Sequence, residues 1–197
     1  MMCAVERREC FAPHAIVGAA LAGHLWRTDR PRNPDPARVN VREPTTAYSE
    51  ALLVEQARDL FFAANGFSVA DYAAAEFTIG VWGWSLKFPN VEERKRVVPF
   101  HDLHHVLTGY GTDWMGEAEI GAWELRAGCN SWVAYFLNAS GVALGLFLSP
   151  ARVWRAFLAA KGQHTLYRDP VPYPSLLQMS VGEVRRRLGI PPHGLVP

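Results

Sequence analysis

The chain has 197 residues, is 49% hydrophobic and carries seven Trp and ten Phe, which suits one domain with a sizeable core and excludes a disordered chain. A formal net charge of +1 gives no general attraction to nucleic acid, which needs a basic domain or stripe. Three widely spaced cysteines (Cys3, Cys10, Cys129) with no C-x-x-C pair exclude a disulfide framework and a thiolate zinc site, and point to a reducing compartment.

The start, MMCAVERREC, mixes Glu6 and Glu9 with Arg7 and Arg8, a composition that targeting peptides avoid, although AIVGAALAG follows. Residues 27–46, RTDRPRNPDPARVNVREPTT, carry four prolines among charges and read as an extended linker. Residues 1–46 are therefore expected to be an extension and linker, with a helical domain over 47–197.

In YSEALLVEQARDLFFAANG, Leu53, Ala57, Leu60, Phe61 and Ala64 recur with helical spacing, and Asn65-Gly66 ends the segment. Ser68-x-x-Asp71 is a capping box that opens a short helix, ADYAAAEF. FTIGVWGWSLKFP is rich in β-branched and aromatic residues around Trp-Gly and predicts a small hairpin. Asn90-x-x-Glu93 signals a further helix, which Pro99 interrupts or kinks before PFHDLHHVLT begins and runs to Gly109 and Gly111. Arg94, Lys95 and Arg96 could receive a lipid phosphate or an anionic surface, against the plainer reading of a solvated helix face. Asp113 caps WMGEAEIGAWELRAG.

Ala127 to Ala151 holds no charged residue, but Asn130, Ser131, Asn138, Ser140 and Gly141 interrupt it. We read it as a buried central helix, broken near Gly141 and able to line an apolar cavity, rather than as a membrane span. SPARVWRAFLAAKG and SVGEVRRRLG complete an all-α domain with at most one hairpin. Cys129 reads as a packing residue. No phosphate-binding glycine loop and no G-x-S-x-G elbow is present.

The chemistry concentrates between His101 and Glu117. His101 and His105 lie four residues apart and share a helical face, with Asp102 on its flank as ligand or as acceptor for an imidazole N–H. His104 falls on the other flank. Eleven residues separate His105 from Glu117, enough for a helix–turn–helix to fold Glu117 back. Two imidazoles with one or two carboxylates suit a divalent metal, zinc first and iron or manganese next, with a coordination position open to substrate. Glu124, two turns beyond Glu117, is a candidate for a catalytic or supporting role, or else an exposed charge. Tyr110 and Asp113 border the turn. Taken alone, H-D-x-x-H also fits a polar helix face.

H-D-x-x-H, eleven residues and Glu, carried by His101, Asp102, His105 and Glu117, resembles the signature of the ubiquinone (coenzyme Q) biosynthesis protein 4 family. The flanking H-x-L-x-G and Gly116-Glu117 agree, and a weaker likeness runs from about Tyr48 through SVGEVRRRLGI. The resemblance implies a largely helical metal protein of ubiquinone biosynthesis, with those four residues on the metal. It also implies a prenylated aromatic substrate that loses its C1 carboxylate and gains oxygen there, an oxidative decarboxylation. Trp132, Tyr135, Phe136 and Phe147 would suit the isoprenoid tail. The other readings are a lipid-binding scaffold that gathers quinone-biosynthesis enzymes around a structural metal, and a metal hydrolase using Glu124 as base. Further expectations are a cytoplasmic protein, peripheral at the inner membrane, contacts with other quinone-biosynthesis proteins, a homodimer, and no nucleic acid.

Overall fold

The computed structural model describes residues 47–81 and 84–196. The extension and linker expected over 1–46, with Cys3 and Cys10, lie outside the described residues. The fold is all-α with one small hairpin. Its elements are α1 (Val54–Asn65), a 3-10 turn (Val69–Ala73), β1 (Glu76–Val81), β2 (Trp84–Pro89), α2 (Glu92–Thr108) and α3 (Trp114–Ala127). After them come α4 (Trp132–Leu148), α5 (Pro150–Ala159), a second 3-10 turn (Leu166–Arg168), α6 (Tyr173–Leu177) and α7 (Val181–Leu188). No helix among the described residues is long and apolar enough to cross a membrane.

Helix α2 is the axis of the core. Leu103, Val106 and Leu107 are fully buried, packed among Val54, Ala57 and Phe61 of α1, Ala118, Ile120 and Trp123 of α3, and Val184 and Leu188 of α7. The hairpin pairs antiparallel, with Phe77 opposite Phe88 and Val81 opposite Trp84. Local capping fixes the helix starts: Ser131 accepts from the Ala134 N–H before α4, and Ser180 accepts from the Glu183 N–H before α7.

Several local expectations change. Leu53 is the extended cap of α1, pairing with Ser180, so the buried stripe is Val54, Ala57, Arg58, Phe61 and Phe62, and Leu60 and Ala64 face outward. The Ser68–Asp71 capping box forms, but on a single 3-10 turn. Asn90 does not cap α2; its side chain bonds the Ala74 carbonyl and accepts from Arg94. Pro99 does not end a helix: α2 runs through it, because buried Val97, Val98 and Leu103 hold both sides against the missing N–H bond. The basic run is not one solvated face, since Arg94 is buried with its guanidinium 3.8 Å from the Phe77 ring, while Lys95 pairs with Glu92.

The uncharged segment departs most from expectation. α4 is unbroken at Gly141, and only Val133, Ala134, Asn138 and Gly145 are buried. The remaining apolar side chains are not a core helix; a full stripe of them faces away from the described residues.

Candidate metal centre

Helix α2 presents His101 and His105 one turn apart, and the turn after it returns Glu117 to them. Gly109 caps α2 in the left-handed region at φ 85°, which turns the chain sharply where a Cβ would be strained. The Asp113 carboxylate then accepts from the Gly116 N–H at 2.6 Å and starts α3. A Cβ at Gly116 would strike the backbone of Gly111, so only glycine lets α3 begin this close to the turn.

The result is a compact triad. His105 Nε2 lies 3.2 Å from His101 Nε2, His101 Nε2 lies 3.3 Å from Glu117 Oε2, and His105 Nε2 lies 3.3 Å from Glu117 Oε1. These three residues can hold a metal ion, each offering one ligand atom. Bonds of roughly 2.0–2.2 Å to one tetrahedral ion would set neighbouring ligand atoms roughly 3.3 Å apart; the two Nε2 atoms stand at that spacing, each facing a different Glu117 oxygen, and with one atom taken from each residue the three lie within 4.8 Å of one another.

The other ring nitrogens decide which atoms face the centre. His105 Nδ1 donates to the Tyr110 carbonyl at 3.0 Å. His101 Nδ1 donates to Glu124 Oε1 at 2.9 Å. Both imidazoles therefore turn an Nε2 lone pair toward each other and toward a carboxylate. Three acceptors at such distances repel unless a cation lies among them, and a metal ion or a proton supplies it. Burial opposes charge on His101, but Glu124 and Glu117 outweigh it and hold its pKa well above the ordinary imidazole value. Burial would likewise raise Glu117, yet the two histidines bring it down to about 2. Proton and metal thus compete for one Nε2.

Glu124 is not an exposed charge, and it does not point at the open side of the centre. It is fully buried, and its two oxygens accept four bonds, from His101 Nδ1, His104 Nδ1 at 2.6 Å, Asn138 Nδ2 at 2.6 Å and Tyr167 OH at 3.0 Å. Four donors fill the acceptor capacity of a carboxylate and keep it ionised despite its burial. Its position is that of an orienting group behind His101. We expect Glu124→Gln to weaken metal affinity about 10- to 100-fold, by losing one acceptor for an imidazole N–H and setting an amide N–H against other donors. Metal-competition titration would detect it, and unchanged affinity would remove Glu124 from the centre.

Asp102 does not join the triad. The 100° helical step from His101 aims it at the first 3-10 turn, where Oδ2 accepts from the Tyr72 hydroxyl at 2.7 Å. Burial raises its pKa to about 6, against the pull of His101 and the Tyr72 bond. His104 points away from the metal, as its flank position implies, but it is a fully buried link rather than a surface group. Its Nε2 accepts from the Leu166 N–H at 2.9 Å, which leaves Nδ1–H for Glu124. Asn138 and Tyr167 were invisible as site residues in the sequence, since nothing in their spacing marks them. Cys129 is a buried packing residue, its thiol raised to about 11 by burial.

Aromatic rings line the surroundings. Phe61 stacks on His105 with ring centres 5.6 Å apart, and Phe100 packs edge-on to Tyr167 and Tyr173. His105 is closed off, whereas the side chains of His101 and Glu117 each keep 18% exposure, so the centre opens on their side. No family model, no curated protein and no solved structure matches this chain.

Proposed function

We propose that the chain is a metal-dependent enzyme of ubiquinone biosynthesis or a related pathway, acting in C1 oxidative decarboxylation of a prenylated aromatic acid. The observation that carries the metal dependence is the inward-facing triad of His101 Nε2, His105 Nε2 and Glu117, with both Nδ1 atoms engaged elsewhere. The reaction and substrate class rest on the H-D-x-x-H-x11-E resemblance, and the aromatic surroundings of Phe61, Phe100 and Tyr167 suit a ring. Zinc is our first choice of ion, with iron or manganese next; when bound, it supplies Lewis acidity toward a carboxylate or phenolate oxygen.

The protein's share is positioning. Glu124 and the Tyr110 carbonyl fix the two imidazoles, Glu117 completes the ligand set, and the open edge beside His101 and Glu117 admits the ring. For a ring with a hydroxyl opposite the carboxylate the balance closes with dioxygen alone. The C1–carboxylate bond breaks to give carbon dioxide, one atom of dioxygen bonds to C1, the other leaves as water, and the ring becomes the quinone.

Elemental analysis of the purified protein and mass spectrometry of the lipids extracted with it test cofactor and substrate class. Metal-loaded protein given a prenylated para-hydroxy aromatic acid under ¹⁸O₂ should release carbon dioxide and place the label on the ring. Stoichiometric metal with unchanged substrate under zinc, iron and manganese would refute the reaction while leaving the metal centre intact.

A further inference from the structure

The outward face of α4 has a shape that nothing in the metal centre uses. Trp132 is 70% exposed, Phe136 64% and Phe147 87%, with Tyr135 and Leu146 beside them and Trp154 and Leu158 of α5 also turned outward. Taking roughly 150–250 Å² per aromatic side chain, the exposed parts amount to on the order of 800 Å². Monomers rarely show apolar patches above a few hundred Å², whereas one partner of a standard interface contributes roughly 800 Å².

The order of sizes along the face is self-complementary. At 100° per residue, Trp132, Phe136, Ala139, Ser140, Ala143 and Phe147 share one side of the helix, and Ala139, Ser140 and Ala143 are exposed as well. Large residues stand at both ends and small ones in the middle. Reversing the helix about the point between Ala139 and Ser140 exchanges Trp132 with Phe147 and Phe136 with Ala143. An antiparallel second copy would set each Phe136 over the small Ala143 of the other, with the closest approach at Ala139 and Ser140. A two-fold interface requires this sort of match, since the same surface must fit itself.

Charge agrees. No charged residue occurs from Ala127 to Ala151, so α4 packed on α4 brings no like charges of that helix together. Helices that lie on anionic bilayers carry Lys and Arg along their flanks, and α4 has none. We propose that α4 is the interface of a homodimer, packed antiparallel against α4 of a second copy across a two-fold axis near Ala139 and Ser140. This inference is independent of the metal reading, because the face lies opposite Asn138, the α4 residue that reaches Glu124.

Sedimentation equilibrium of the full chain at micromolar concentration should give twice the chain mass, and Phe136→Glu should give the monomer with unchanged circular dichroism and metal content. Orientation is read by oxidative cross-linking in a Cys3→Ser, Cys10→Ser background. Ala139→Cys should cross-link to itself, whereas Trp132→Cys should not, since the two copies of that position stand at opposite ends of the pair; Trp132→Cys mixed with Phe147→Cys should cross-link. A wild-type monomer overturns the proposal, whether or not it floats with phosphatidylcholine vesicles, and flotation abolished by Phe136→Glu would assign the face to lipid instead. A dimer unaffected by Phe136→Glu, or self-cross-linking through Trp132→Cys, also overturns it.

Discussion

Glu117→Ala should leave the purified protein without stoichiometric metal, with affinity lowered at least about 100-fold, since even supporting groups around a metal cost 10- to 100-fold when lost. The reason is charge as well as geometry. Glu117 is the triad's one anion, and it sits 3.3 Å from each of two Nε2 atoms whose other nitrogens are committed. Without it only the two imidazoles remain to hold an ion, and the proton on His101 loses one of the two carboxylates that hold it. His105→Ala should act alike. Folding should survive Glu117→Ala, because that side chain is partly exposed, and circular dichroism provides the check.

The same titration reports the competing proton. The pKa of His101 is raised well above the usual imidazole value by Glu124 and Glu117 in spite of its burial, so its charged form dominates through neutral pH. A metal must displace that proton. Affinity should therefore rise with pH, by roughly tenfold per unit while His101 stays protonated, and flatten once pH passes its raised pKa. A pH-independent affinity, or metal retained in Glu117→Ala and His105→Ala alike, would show that the triad is a polar cluster and no ligand set.

The largest effect on stability is expected far from the ligands, at Arg185. This residue on α7 is almost wholly buried, and among the described residues no carboxylate lies within hydrogen-bond reach of it. Its guanidinium donates to four carbonyls: Leu107 at 2.8 Å, Tyr48 at 2.9 Å, Pro192 at 2.6 Å and Val106 at 3.4 Å. Two of them are carbonyls of the last turn of α2, which lack helical partners and lie at the negative end of the helix dipole. One side chain thus closes the end of the ligand-bearing helix and ties both ends of the described chain to it. Arg185→Ala leaves these carbonyls buried and unpaired and opens a cavity. At about 1–3 kcal/mol per stranded group, we expect a loss of about 4 kcal/mol, near 10 °C in Tm for a domain of this size. Arg185→Lys keeps the charge but lacks the planar fork, and should recover less than half. Urea denaturation of both variants measures it. A loss below about 1 kcal/mol for Arg185→Ala would mean that water replaces the fork at no cost.

Much was legible in the sequence for local reasons. The Ser68–Asp71 box, the Asp113 cap, the Gly109 stop and the paired strands of the hairpin are each written within a few residues. His101 and His105 share a face because helical spacing permits nothing else. Tertiary structure decided what spacing leaves open. Whether Asp102 belongs with the ligands depends on what stands beside it, and Tyr72, thirty residues earlier, takes its carboxylate. Glu124 becomes the hub of the centre only because Asn138, Tyr167 and His104 converge on it from α4, the second 3-10 turn and α2. Composition could not tell a buried α4 from an outward one, since hydropathy records how apolar a helix is and not which neighbours cover it. Periodicity places side chains on a face; only packing between distant segments says what that face meets.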